Sequence, residues 1–145
     1  MRTSFFSCAV FAIVALASAG APAKSGGPTG RWKTIDDETG KVKSIVEISE
    51  SSGKLRGQVV EILHSDRGPD PVCDKCKGSN KDKPVKGMTI LWDLQRDGAE
   101  WKGGTILDPA NGKTYKSKLK LIDNGRLGVS GCVAFICREQ VWIRE

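Results

Sequence analysis

The cysteines hold most of the chemistry this chain could perform. Cys73 and Cys76 form a C-x-x-C pair, and Cys132 and Cys137 lie close together further along. A C-x-x-C pair can be a redox dithiol, half of a zinc site, or a disulfide. A redox dithiol needs its thiols at a helix N-terminus in a βαβ setting, and no such setting is present. Zinc would need a second half, and Cys132-x-x-x-x-Cys137 is looser than usual. Four cysteines allow three pairings, among which sequence does not choose. The two local bridges, Cys73–Cys76 and Cys132–Cys137, are the simplest arrangement. No metal and no cofactor is expected.

Other reactive groups are sparse. His64 is the single histidine, so every Ser/His/Asp or Cys/His arrangement would depend on it. Asp93, Glu100 and Asp108 fall near strand ends, where carboxylates ordinarily form turns or meet water. No catalytic residue is assigned, and the chain reads as a binding protein rather than an enzyme. Trp92, Trp101 and Tyr115 are the candidates for lining a small-molecule site, since such sites combine aromatic walls with a few polar groups. Gly103, in the pair Gly103-Gly104, marks a bulge where a ligand can approach the backbone.

The elements that must position these residues are strands. Short segments separated by turn residues recur from Gly30 onward, with no long apolar period of 3.6. The expected strands are 30–35, 41–48, 55–63, 88–94, 100–107, 114–122, 127–133 and 139–144. The sixth is the clearest: Tyr115, Ser117, Leu119 and Leu121 alternate with Lys116, Lys118 and Lys120. In the fourth, Met88, Ile90, Trp92 and Leu94 share one face. Asp97-Gly98 and Asn124-Gly125 are hairpin turns. Residues 64–87 form one long loop holding Cys73 and Cys76, expected to act as a lid. Eight antiparallel strands joined mainly by hairpins predict an all-β, up-and-down barrel, whose closure leaves no edges. Such a barrel is filled by side chains or holds one small ligand.

The N-terminus sets the compartment. Arg2 precedes an apolar run from Phe5 to Ala17, followed by an A-x-A cleavage pattern at Ala17–Ala19. The run is shorter than the about 20 apolar residues a spanning helix needs. Residues 1–19 therefore read as a signal peptide that carries Cys8 away, residues 20–29 as a flexible lead-in, and residues 30–145 as one barrel domain. Export favours disulfides for the four remaining cysteines. The formal charge of +6 comes from scattered lysines, a solvated face rather than a nucleic-acid footprint. Candidate partners are a lipid or other apolar small molecule and an anionic envelope component. Nucleic acid is excluded, no transmembrane segment is expected after cleavage, and lysine on the outer faces argues for a monomer.

Two resemblances sharpen this reading. Gly30-Arg31-Trp32 on the opening strand is similar to the G-x-W that begins lipocalins. Arg144 on the closing strand matches the calycin arginine that packs across that tryptophan. The resemblance implies structural closure by Gly30, Trp32 and Arg144, through a guanidinium over an indole. A fuller match runs through G-K-L-R-G at Gly53–Gly57, W-K-G-G-T-I-L-D-P-A-N-G-K-T-Y at Trp101–Tyr115 and C-R-E-Q-V-W-I-R at Cys137–Arg144. This order resembles the uncharacterised bacterial family known as domain of unknown function 2147. It implies a Gram-negative periplasmic or secreted protein with a calycin-like barrel, and no established activity. The Cys132/Cys137 pair fits that family, whereas Cys73-x-x-Cys76 departs from its commonest pattern.

Overall fold

Alternation of apolar and charged residues writes most of the architecture. The computed structural model describes residues 26–145, so the signal-peptide assignment at 1–19 lies outside the described residues. The strands are β1 (Gly30–Ile35), β2 (Val42–Ser51), β3 (Lys54–Ile62), β4 (Thr89–Asp97), β5 (Glu100–Asp108), β6 (Lys113–Asp123), β7 (Arg126–Val133) and β8 (Ile136–Arg144). Each pairs antiparallel with the next, and β1 pairs with β8 to close the barrel. The all-β up-and-down expectation therefore holds. In β6, Ser117 and Leu119 are buried while Lys116 and Lys120 face water.

The fourth strand breaks its expected alternation. Gly57 pairs with Leu91 and Gln58 with Thr89, which leaves Ile90 as an extra residue. Ile90 and Leu91 are consequently both buried, and a second irregularity at Asp93, φ 61°, precedes buried Leu94. A bulge shifts face assignment by one residue. It removes Trp92 from the face that Ile90 and Leu94 share.

The three short turns β2–β3, β4–β5 and β6–β7 lie at one end of the barrel, which is filled. Trp32, Ile48, Leu55, Leu94, Trp101, Leu119 and Leu127 are all buried there. Each such side chain contributes about 1.5–3 kcal/mol by leaving water. Arg144 spans this end as the sequence implied, its Cζ 4.1 Å from the centroid of the Trp32 ring. Its guanidinium donates to the carbonyls of Asn124 at 2.6 Å, Thr29 at 3.1 Å and Gly27 at 2.8 Å. Trp32 Nε1 donates to the Pro28 carbonyl at 2.8 Å. Residues 27–29 are thus fastened to the barrel and correct the reading of a flexible lead-in up to residue 29. Gly30 permits the arrangement: a Cβ there would stand 3.1 Å from the Arg144 guanidinium.

Carboxylates secure the same end. Asp123 accepts from Arg126 Nε at 2.8 Å and from the Gly125 N–H at 2.9 Å. Arg126, then Gly125, hold its carboxyl below the usual range. Glu145 pairs with Arg31, which lowers it likewise. A depressed carboxyl stabilises fully above its unfolded value and loses that contribution as pH falls through the folded one. The ordinary values here are 3.8 for Asp123 and 4.5 for Glu145. The urea midpoint should accordingly hold steady from neutral pH to about pH 5 and fall below about pH 4. A midpoint unchanged at pH 3 would show these contacts to be inert.

Candidate functional site

The opposite end, formed by the β1–β2, β3–β4, β5–β6 and β7–β8 connections, is open. It holds a cavity of about 780 Å³. Strand direction decides which residues reach it: the last residues of odd strands and the first of even strands. Val59 and Ile62 of β3, Ile90 of β4, Ile106 and Leu107 of β5 and Val129 of β7 supply apolar walls. Buried Trp142 of β8 also contributes.

Polar groups gather at the rim. Gln140 links two of them: its Oε1 lies 3.4 Å from Trp142 Nε1, and its Nε2 donates to Asp37 Oδ2 at 3.0 Å. Arg138 reaches the same Asp37 oxygen at 3.3 Å. Asp36 accepts from the Thr39 N–H at 2.8 Å and its hydroxyl at 2.9 Å. Those bonds, aided by Lys43, keep Asp36 below the usual carboxylate range and hence anionic. Deeper, the Thr34 and Ser44 hydroxyls share a hydrogen bond of 2.8 Å. Tyr115 lines the cavity, and its hydroxyl accepts from Asn111 Nδ2 at 3.1 Å. An apolar interior with a charged rim suits a ligand with an apolar body and a polar head.

Of the residues expected to line a site, Tyr115 does. Trp101 does not: it is packed in the closed end, with Arg96 5.7 Å from its ring centroid. Trp92 lines a separate shallow depression with Arg56, Lys86 and Thr89. Gly103, φ 76°, sits in the register shift between Trp101 and Gly104, with no atom near its Cβ position. Trp101 follows the β4–β5 turn directly, so the antiparallel order alone sends it to the closed end. The same reasoning would have found Ile106, Leu107, Val129 and Gln140.

The long connection after β3 is folded rather than structureless. Val72 bridges Pro84, and Gly78–Asn80 make one 3-10 turn. Cys73 and Cys76 are disulfide-bonded to each other and fully buried within the core cluster. Cys73 N–H donates to Lys83 at 2.8 Å, and Val85 N–H to Pro71 at 2.9 Å. The Cys73 sulfur stands 3.4 Å from the Pro109 carbonyl oxygen, which ties the loop to the β5–β6 turn. Pro71 and Val85 of the loop form part of the cavity wall. The second disulfide joins Cys132 to Cys137 across β7 and β8, as the simplest pairing anticipated.

Of the remaining reactive groups, His64 and Asp108 also line the cavity. His64 lies 3.4 Å from exposed Asp66. Asp93 faces Lys54 at 3.5 Å, Glu100 pairs with Lys102 at 3.0 Å, and Asp108 accepts from the Ala110 N–H in its own turn. Among the described residues no group of three or more His, Cys, Asp or Glu is placed to hold a metal ion.

A family described as an uncharacterized protein conserved in bacteria (DUF2147) matches residues 30–144. No curated protein matches the chain. Among solved structures, a Helicobacter pylori protein described as belonging to the lipocalin family superposes with a TM-score of 0.71 at 21% identity. The alignment covers 83% of this chain and 84% of that one. At that identity the likeness concerns the fold.

Proposed function

The chain belongs to the DUF2147 family of uncharacterised bacterial proteins, and from that premise we propose that it is an exported module that binds a small apolar or amphipathic molecule in its barrel mouth. The carrying observation is the cavity of about 780 Å³, apolar within and charged at the rim. Cavities of roughly 300–1,000 Å³ are the usual size for small-molecule sites. The lipocalin-like architecture is compatible with a small hydrophobic ligand. Two disulfides are compatible with an extracytoplasmic location. No helix among the described residues is long and apolar enough to cross a membrane. In this reading the apolar walls hold the ligand body, while Arg138, Gln140 and Asp37 meet its polar end. The Gram-negative periplasm is the compartment that the export signal and the family suggest.

Protein purified without detergent should show a native mass excess that vanishes on denaturation. It should also bind anilinonaphthalene sulfonate saturably, with little dependence on salt, because enclosure is not screened as exposed charge pairs are. Gly131→Trp should weaken dye binding roughly a hundredfold, equivalent to about 2.7 kcal/mol. Gly131 lines the cavity, and a Cβ there meets Tyr115 at 3.4 Å and Ile106 at 3.5 Å without a clash. A bare native mass with no saturable dye binding would favour a filled structural barrel of the envelope.

A further inference from the structure

The β7–β8 hairpin breaks the ordinary rules for a turn. Val133 pairs with Ile136, which leaves Ala134 and Phe135 as a two-residue connection. Such turns favour Asn, Asp or Gly because they need positive φ. Here Ala134 adopts φ 51°. Phe135 is 93% exposed, Ile136 72% and Val133 65%. One pair behind the turn, the Cys132–Cys137 disulfide fixes the strands, their Cα atoms 4.0 Å apart. A rigid hairpin therefore holds three apolar side chains in water, and a local rule broken without a folding benefit points to function.

We propose that this hairpin tip docks the barrel mouth onto an anionic phospholipid bilayer. Size is the first argument. The tip exposes on the order of 300 Å² of apolar surface, well below the roughly 800 Å² per partner of a stable protein interface. Insertion into a bilayer has no such threshold, since each apolar side chain gains by itself. Charge is the second. Arg138, with a side chain 79% exposed, and exposed Lys116, which pairs with Cys132, flank the tip and can meet lipid phosphates. Continuity is the third. Val133 and Ile136 also line the cavity, so an apolar path runs from its interior to the tip. A lipid-like ligand could follow that path without crossing water, a role that rests on the ligand-binding reading; docking itself does not.

The full mature chain should float with vesicles of phosphatidylethanolamine and phosphatidylglycerol, and less with phosphatidylcholine alone. Phe135→Asp should reduce flotation about tenfold, the least expected from withdrawing one phenyl group from an apolar phase. Phe135 is too exposed to support the fold, so the variant should keep the wild-type melting temperature. In Phe135→Trp, vesicles should shift the indole emission to the blue, and doxyl-labelled lipid should quench it. Failure of the wild type to float, or flotation untouched by Phe135→Asp, overturns the proposal. So does a concentration-dependent dimer that Phe135→Asp abolishes, which would make the tip a contact between copies. Phe135 does not line the cavity, so Phe135→Asp should retain dye binding. A wild type that floats yet binds no dye would reject the cavity ligand and keep the docking.

Discussion

Trp32→Ala should lower the unfolding free energy by about 4 kcal/mol, within the usual range for truncating a buried Trp. Trp32 is wholly buried, its Nε1 is bonded to the Pro28 carbonyl, and Arg144 lies across its face. Removing the indole leaves a cavity and strips Arg144 of the surface it packs on. It also frees residues 27–29, which those two side chains hold. Urea unfolding with an unchanged slope would measure the loss. A change below about 1 kcal/mol would mean the closed end is held by something other than this pair. Arg144→Lys provides the companion result. A lysine keeps the charge but cannot reproduce the fork that reaches Asn124, Thr29 and Gly27, so most of the hydrogen-bond contribution should go.

Gly112→Ala should cost about 3 kcal/mol and release the long loop. Gly112 has φ 70°, which penalises any side chain by about 1–2 kcal/mol. A Cβ there would lie 2.1 Å from the Lys75 carbonyl oxygen and 2.7 Å from the Cys76 nitrogen. Both obstacles are backbone, so relief requires the loop to lift from the β5–β6 turn. Brief trypsin exposure should then cut at Lys75, Lys77 or Lys81 well before the strands are attacked. Wild-type resistance in the variant would show that the loop does not depend on this contact.

Much of the barrel was legible because alternation and turn chemistry agreed. In β6, lysines alternate with buried residues, and Gly98 and Asn124-Gly125 stand in the β4–β5 and β6–β7 turns. Where one of these signals is missing, the reading fails by a definable amount. Ala134-Phe135 carries no turn residue, so β8 was expected to begin at Glu139 although it begins at Ile136. The extra residue at Ile90 has no local marker, because a bulge is a property of two strands together. It misplaced Trp92. Residue type alone favours tryptophan and points to Trp101, which lies at the closed end. Strand direction, already implied by the topology, separates Trp101 from Tyr115. The packed loop was beyond reach, because Cys73 and Cys76 reveal their burial only once the Asp108–Lys113 turn lies against them.

The closing of the barrel has a kinetic consequence. β7 and β8 pair through eight residue pairs, whereas β1 and β8 pair through two, Trp32 with Arg144 and Lys33 with Ile143. Every other neighbouring pair of strands joins segments consecutive in the chain. Among the described strand pairs only this seam brings together residues more than a hundred positions apart, so it carries the largest loop-closure entropy and forms last. Contacts absent from the folding transition state leave the folding rate alone and govern the rate of unfolding. The stability lost in Trp32→Ala should therefore appear almost wholly as faster opening, with refolding near the wild-type rate. The folded lifetime would then rest on one arginine laid across one indole.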